Sequence, residues 1–242
     1  MNEMTFSTRG HTAALDYAIK ELVEHGWSLH ENAPIVLLPV PSFDANGHIK
    51  GGGTIEDIPK DSLIIGGYLS TALTKNRKFV DLLQNPLYLS ENAAITAHCA
   101  ICIVMENLPV TLQQCPILVV GWGRIGKCLV RLLRMLGAKI TVAARSEADR
   151  ALAEALGYAA VDILDENLDL FPYRVIINTV PAMVLPGSKL SGCRRDCLKI
   201  DLASSRGIDG LDVIWARGLP SQDAPESSGK LIAKIIRKEF EL

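Results

Sequence analysis

Residues 117–126 read ILVVGWGRIG, an apolar run that closes on Gly121-Trp122-Gly123-Arg124-Ile125-Gly126 and passes at once into the helix-patterned KCLVRLLRML. Strand, glycine turn and helix in that order are the context in which GxGxxG signifies dinucleotide binding. Gly121 is expected to make the tight turn, Gly123 to let backbone approach a pyrophosphate, and Gly126 to let helix and strand pack closely. The unpaired N–H groups at the helix start then face the phosphates.

The next strand pattern, Lys139 to Ala144 (KITVAA), is followed by Arg145-Ser146. An NAD-binding sheet usually carries an acid there, which grips the ribose 2′-hydroxyl and would repel a 2′-phosphate. A guanidinium instead pairs with a phosphate through two parallel bonds, and a neighbouring hydroxyl adds a third. Ala144, Arg145 and Ser146 are therefore expected at the adenosine ribose, with NADP preferred and NAD the alternative. Ser146 also suits the N-cap of the following EADRALAEAL helix.

The chain has 242 residues, 48% of them hydrophobic, enough apolar side chain for two separate cores. Its 25 basic and 27 acidic residues nearly cancel and are scattered, which argues against a nucleic-acid partner. No stretch reads as long enough to cross a bilayer, and the opening MNEMTFSTRGHTAALDY lacks a basic segment followed by an apolar one, so a cytoplasmic protein with no membrane partner is expected. Cys99, Cys102, Cys115, Cys128, Cys193 and Cys197 sit mostly in apolar or helical patterns and read as small buried hydrophobes. The spacing of Cys193 and Cys197 is not CxxC and no second cluster completes it, so no metal is expected.

Alternation of elements predicts an α/β protein: a C-terminal Rossmann, doubly wound parallel sheet over residues 109–242 and a smaller N-terminal α/β domain over residues 1–108. In the first domain a helix over 13–23, strands over 34–38 and 61–67, a helix over 74–83 and a strand over 86–89 are expected. A small-residue helix from Ser90 to Asn107 connects the two. The second domain reads as strands at 117–121, 139–144, 159–163, 174–180, 198–202 and 213–216, with helices at 124–136 and 147–156 and a last helix from Pro225 to Phe240 that is free to pack back on the first domain.

Ligands of such sheets lie at the carboxyl ends of the strands. Thr179, Val180 and Pro181 after the fourth strand, Ala203 and Ser204 after the fifth, and Gly218 and Leu219 after the sixth are thus candidate contacts, Ser204 toward substrate and the others toward cofactor. Asp201, an acid in an apolar strand, needs a partner to satisfy it. In the first domain Ser42, Gly66 and Gly67 offer hydroxyl and N–H groups that suit carboxylates of a small acidic substrate. His98 and Glu91 on the connecting helix are candidates for proton transfer alongside Asp201. No Ser-His-Asp, HExxH or Walker pattern is present.

The ordered set GWGRIG, LGAKITVAARS, INTVPAMVL, IDLASSRGIDG and ARGLPSQDAPESSGKLIAKII, with the ENAAITAHCAICIVMEN helix and the LLPVPSFD segment, resembles the family of dipicolinate synthase A subunits. The resemblance implies a sporulation enzyme that oxidises dihydrodipicolinate, or its hydroxy-tetrahydro precursor, to pyridine-2,6-dicarboxylate, with NADP or NAD accepting the hydride. It further implies a small dicarboxylate substrate held between the domains and a flavoprotein-like dipicolinate synthase B subunit as partner, and it is compatible with homo-oligomers. Compared with that family the opening strand and its glycine turn read as curtailed, Ala97-His98-Cys99 stands where Ala-Glu-Gly is usual, and Ser221-Gln222-Asp223 stands where a glycine and lysines are usual. The alternatives are another NAD(P)-dependent dehydrogenase of amino or hydroxy acids, and a non-catalytic cofactor-binding partner protein.

Overall fold

The chain enters a sheet at Thr5. In the computed structural model, which describes residues 4–240, strand β1 (Thr5–Thr8) pairs in parallel with β2 (Ser28–Leu29) on one side and β3 (Ile35–Leu37) on the other. The opening strand that reads as curtailed is therefore present; it escapes notice because it is short and only Phe6 and Ser7 are buried. Gly10, at φ 80°, turns the chain toward helix α1 (Ala13–Glu24). Strands β4 (Leu63–Gly66) and β5 (Phe79–Asp81) complete an all-parallel sheet in the order β2-β1-β3-β4-β5.

Successive residues on a strand point to opposite faces. Ile35 and Leu37 accordingly join Phe6, Ile65 and the α1 residues Leu15 and Leu22 in one core, while Val36, Leu38 and Ile64 enter another that the loop residues Ile49, Ile55 and Ile58 fill. Two expectations fail here. Residues 79–81, read as helix, form β5, in which Val80 and Asp81 pair with Ile65 and Gly66. Residues 86–89, read as strand, open helix α2 (Pro86–Asn107). The Asn85 carboxamide oxygen accepts from Leu87 N at 2.9 Å and Tyr88 N at 3.0 Å, and Pro86 takes the helix position that needs no N–H.

Helix α2 has 22 residues and a mean hydropathy of 1.4 in its most apolar window, so by length and composition alone it is long and apolar enough to cross a membrane, contrary to the sequence reading. Its apolarity has a local use: Ala93, Ala97, Ala100 and Val104 are buried within the protein.

The second sheet follows the expected plan. It contains β6 (Pro116–Val120), β7 (Lys139–Ala144), β8 (Ala159–Asp162), β9 (Val175–Asn178), β10 (Leu198–Asp201) and β11 (Val213–Trp215), all parallel, in the order β11-β10-β9-β6-β7-β8. Helix α3 (Arg124–Met135) links β6 to β7, α4 (Glu147–Ala155) links β7 to β8, the short α5 (Gly187–Leu190) lies between β9 and β10, and α6 (Leu219–Asp223) follows β11. The order reverses between β6 and β9, the switch point at which doubly wound sheets bind ligands.

Helix α7 (Pro225–Phe240) packs back on the first unit, the option its sequence left open, and this moves the expected boundary. Leu231, Ile232, Ile235 and Ile236 share a core with Leu15, Ala18 and Leu22 of α1, and Phe240 meets Trp27 edge-on at 6.2 Å. A methyl built on Gly229 would fall 2.4 Å from Ala14 O, so the two helices touch backbone to backbone. The compact units are accordingly Met1–Ile95 with Pro220–Leu242, and Thr96–Leu219, not 1–108 and 109–242. An apolar α7 face needs a partner, and α1 supplies it. Within this first unit Ser228 is buried and hydrogen-bonds the Tyr88 phenol, whose burial pushes its pKa up.

Candidate functional site

The turn after β6 is built as its three glycines require. Gly121 stands at φ 103°, a conformation that side chains rarely adopt, and a methyl there would lie 2.3 Å from Thr179 Oγ1 and 2.9 Å from Val180 Cγ2. At Gly126 a methyl would lie 2.2 Å from Gly121 O, so α3 starts directly against the end of its own strand. Gly123 is the N-cap of α3, in extended backbone, with no side-chain cap, and a methyl built on it meets nothing within 4 Å. No side-chain oxygen caps the start of α3, and Gly123 and Arg124 are exposed there while Gly126 is buried against the strand. That arrangement fits a dinucleotide diphosphate: open backbone, positive helix end and no competing acceptor.

Trp122 takes a different part from the one expected of it. Its ring is buried and meets Tyr158 edge-on at 6.0 Å, with Lys127 Nζ 5.7 Å from its centroid, so the side chain anchors the turn. At the end of β7, Ala144 is buried and Arg145 is exposed with no ion-pair partner among the described residues. Ser146 caps α4, its hydroxyl accepting from Asp149 N at 3.3 Å. The acid of this corner is Asp162, at the end of β8 and in register with Ala144, and it is already paired with Arg150 at 3.1 Å. Arg150 also donates to Ala144 O and Arg145 O, both at 2.9 Å, which fixes the strand end. Neither Arg150 nor Asp162 stands out in the sequence, because their meeting depends on the register of β7 with β8.

From Gly121 the carboxyl edge continues as a chain of hydrogen bonds. Thr179 Oγ1 donates to Val120 O at 2.9 Å, so the hydroxyl of this candidate cofactor contact ties β9 to β6. Asn178, fully buried, donates to Val180 O at 3.0 Å and to Asp201 Oδ1 at 2.8 Å. Asp201 also accepts from Ala203 N at 3.1 Å, Gly207 N at 2.7 Å and Ile208 N at 3.1 Å. A fully buried carboxylate that accepts four hydrogen bonds is a clasp for the loop after β10, not a free acid or base. Ser205 Oγ donates to Pro181 O at 2.9 Å, tying that loop to the one after β9, and Trp215 Nε1 donates to Ala203 O at 3.0 Å. Val180 is half-buried, Pro181 and Ser204 are exposed, Gly218 is exposed at φ 68°, and Leu219 is buried. Sequence reasoning misses Asn178 as the bridge. Its signal is that Asn178 and Asp201, partners in register, each end an otherwise apolar strand.

The residues expected to hold substrate in the first unit are spent on structure. Ser42 is fully buried; its hydroxyl donates to Pro39 O at 2.8 Å and accepts from Gly67 N at 2.9 Å. A methyl on Gly66 would lie 2.2 Å from that oxygen, so Ser42, Gly66 and Gly67 form a closed clasp between the ends of β3 and β4. Glu91 is likewise committed: both its oxygens accept from Lys234 Nζ, at 2.7 and 2.8 Å, joining α2 to α7. His98 is exposed on α2.

One cavity of about 350 Å³ lies at the amino ends of β10 and β11, lined by Cys193, Arg194, Lys199 and Asp212 among others. Lys199, buried, donates to Asp212 at 2.6 Å and holds that carboxyl below its usual pKa. It is on the wrong end of the sheet for a doubly wound ligand site.

No family model matches the chain. The A subunit of dipicolinate synthase from Bacillus subtilis (strain 168) is 27% identical over 229 residues, covering 84% of this chain and 76% of that protein. The crystal structure of the dipicolinate synthase A subunit from Bacillus halodurans superposes with a TM-score of 0.87 at 23% identity, over 98% of this chain and 97% of that one. A transhydrogenase from Sinorhizobium meliloti shares the fold at a TM-score of 0.75 and 14% identity, over 99% of this chain and 93% of that one. In sequence over most of its length and in fold over nearly all of it, the chain is similar to the dipicolinate synthase A subunits, the likeness its ordered motifs carry.

Proposed function

We propose that the chain is an NAD(P)-dependent oxidoreductase that converts dihydrodipicolinate, or its hydroxy-tetrahydro precursor, to pyridine-2,6-dicarboxylate, with NADP preferred over NAD. The observation that carries this reading is the turn at Gly121–Gly126: open backbone at Gly123 in front of an α3 start that no side chain caps. The N–H groups of Arg124, Ile125 and Gly126 would hold the diphosphate, and Arg145 with Ser146 would hold the adenosine ribose and its 2′-phosphate. When bound, the nicotinamide supplies the hydride acceptor.

The hydroxy-tetrahydro precursor first loses water to give the dihydro ring; oxidation of that ring removes a hydride from one ring carbon and a proton from the ring, and the aromaticity gained drives the step. The work left to the protein is to position donor and acceptor. Asp201, buried and clasped, is not available as a base, and Glu91 is engaged with Lys234. The proton leaves to water, or to His98 where that exposed imidazole reaches the ring. By the same reading a flavoprotein-like partner, the B component of the synthase, works beside this chain in sporulation.

Incubating the chain, alone and with that B component, with enzymatically made dihydrodipicolinate and NADP+ tests the reading through the ultraviolet absorbance of pyridine-2,6-dicarboxylate. Product in either mixture supports it, and its absence in both overturns it. Exchanging Arg145 for Asp is expected to turn the preference toward NAD, weakening NADP binding by about tenfold or more, the effect of one lost charge-assisted pair. An unaltered preference removes the assignment of NADP.

A further inference from the structure

Arg206 follows β10 and Arg217 follows β11, and both rest on one indole. Their guanidinium carbons lie 5.1 and 5.0 Å from the centroid of the Trp215 ring, within the range of a cation–π contact. The ring is itself fixed, because its Nε1 donates to Ala203 O at 3.0 Å. Arg206 stands on a loop whose backbone is held on both sides by Asp201, through Ala203 N before it and Gly207 N after it. A methyl on Gly207 would lie 2.2 Å from Asn178 Nδ2, so the loop backbone packs directly on the end of β9. From this rigid support both arginine side chains are exposed.

Arg206 has no hydrogen bond or ion pair among the described residues, so its charge is offset by no carboxylate of its own unit. Arg206, held against the ring, keeps its N–H fork, whose geometry matches a carboxylate, and Arg217 adds a second positive charge beside it. Position in the sheet selects the anion. With the adenosine ribose at the end of β7, a nucleotide that crosses the Gly121 turn extends the other way, over β9 and β10. Strand β11 lies three strands from β6, about 14 Å at the usual strand spacing, beyond the diphosphate and on the side where hydride would be exchanged.

We infer that Arg206 and Arg217, set on Trp215, form the seat for a carboxylate of the ring-acid substrate, in place of the Ser42–Gly67 clasp. The inference rests on the reading of the chain as a ring-acid oxidoreductase, and its test is separable from that reading. Pyridine-2,6-dicarboxylate is titrated calorimetrically into the full chain saturated with NADP+, with wild type, Arg206→Gln, Arg217→Gln and Arg206→Lys compared; thermal melting and NADP+ affinity confirm that each variant folds.

Each Gln variant is expected to weaken dicarboxylate binding about tenfold or more, with Arg206→Lys intermediate, while NADP+ affinity is unchanged. Equal dicarboxylate affinity in wild type and both Gln variants overturns the seat, as does a wild type that binds no dicarboxylate. A loss of NADP+ affinity with NAD+ affinity spared also overturns it, since the arginines would then hold a nucleotide phosphate. A wild type that binds the dicarboxylate through these arginines but never oxidises its dihydro form leaves the seat standing and defeats the proposed reaction.

Discussion

The two units are both parallel sheets whose strand order reverses at one point, and they treat that place in opposite ways. In the first unit the switch point lies between β1 and β3, and the chain fills it itself. His11 N donates to Lys50 O at 2.9 Å, and a methyl on Gly10 would lie 2.3 Å from that same oxygen, so the 47–53 loop lies on the turn. Thr12 caps α1, its hydroxyl accepting from Leu15 N at 3.2 Å, and Ser42 joins the ends of β3 and β4. In the second unit the switch point lies between β6 and β9; Thr179 joins the two strand ends there, but Gly123 caps α3 without a side chain, and a methyl built on it meets nothing within 4 Å. Fold alone therefore does not make a nucleotide site. What distinguishes the two is whether the helix start has been satisfied by the chain's own oxygens.

The largest effect expected from breaking this contrast is at its polar supports. Asp201→Ala leaves buried donors at Asn178, Ala203, Gly207 and Ile208 without an acceptor, and a loss of about 4 kcal/mol in chemical denaturation is expected, a size reached when a buried polar network fails. Ser42→Ala strands Gly67 N in the same way, but one donor only, and about 2 kcal/mol is expected with dicarboxylate affinity of the folded protein unchanged. A change in that affinity, with little in stability, would return Ser42 to the substrate site.

How far the sequence announces this contrast differs between the units. Every strand of the second sheet is visible in it, because Ile117 to Val120 and Val175 to Asn178 are unbroken buried runs and each ends on a recognisable turn. The first sheet is less legible. Strand β5 is half-buried along its whole length and is flanked by leucines at helical spacing, and the Asn85-Pro86 helix start is outweighed by the apolar residues after it. At the site, the glycines can be read because their constraint is local. The roles of Ser42, Thr179, Asp201 and Glu91 cannot, since each depends on an atom supplied from another strand end or helix, and a hydroxyl or carboxylate beside a turn looks the same whether it is free or spent.

Exchanging the caps sharpens the comparison at smaller cost to the fold. Gly123→Asp places a good N-cap where a side chain meets no atom, so thermal stability should hold or rise by up to about 1 kcal/mol. Nucleotide binding should nevertheless be lost, because the carboxylate takes the α3 N–H groups and repels the diphosphate. Thr12→Ala does the reverse in the first unit: about 1 kcal/mol of stability is lost with α1, and nucleotide affinity is untouched. Retention of nucleotide binding by the Gly123 variant would show that the open helix start is not what receives the cofactor.

The smallest effect is expected at Glu91, where geometry and the sequence reading part most sharply. As a proton carrier its replacement would lower turnover by a hundredfold or so, in line with the usual contribution of a general acid or base. As the partner of Lys234 it joins two helices of one unit through side chains 36% and 50% exposed, and such pairs are worth only about 0.2–1 kcal/mol because water and salt screen them. Glu91→Gln is therefore expected to lower the melting temperature slightly, by an amount that shrinks further in high salt, and to leave kcat within about twofold. The salt series separates the two accounts: screening weakens an exposed ion pair, whereas a missing base costs the same turnover at every ionic strength.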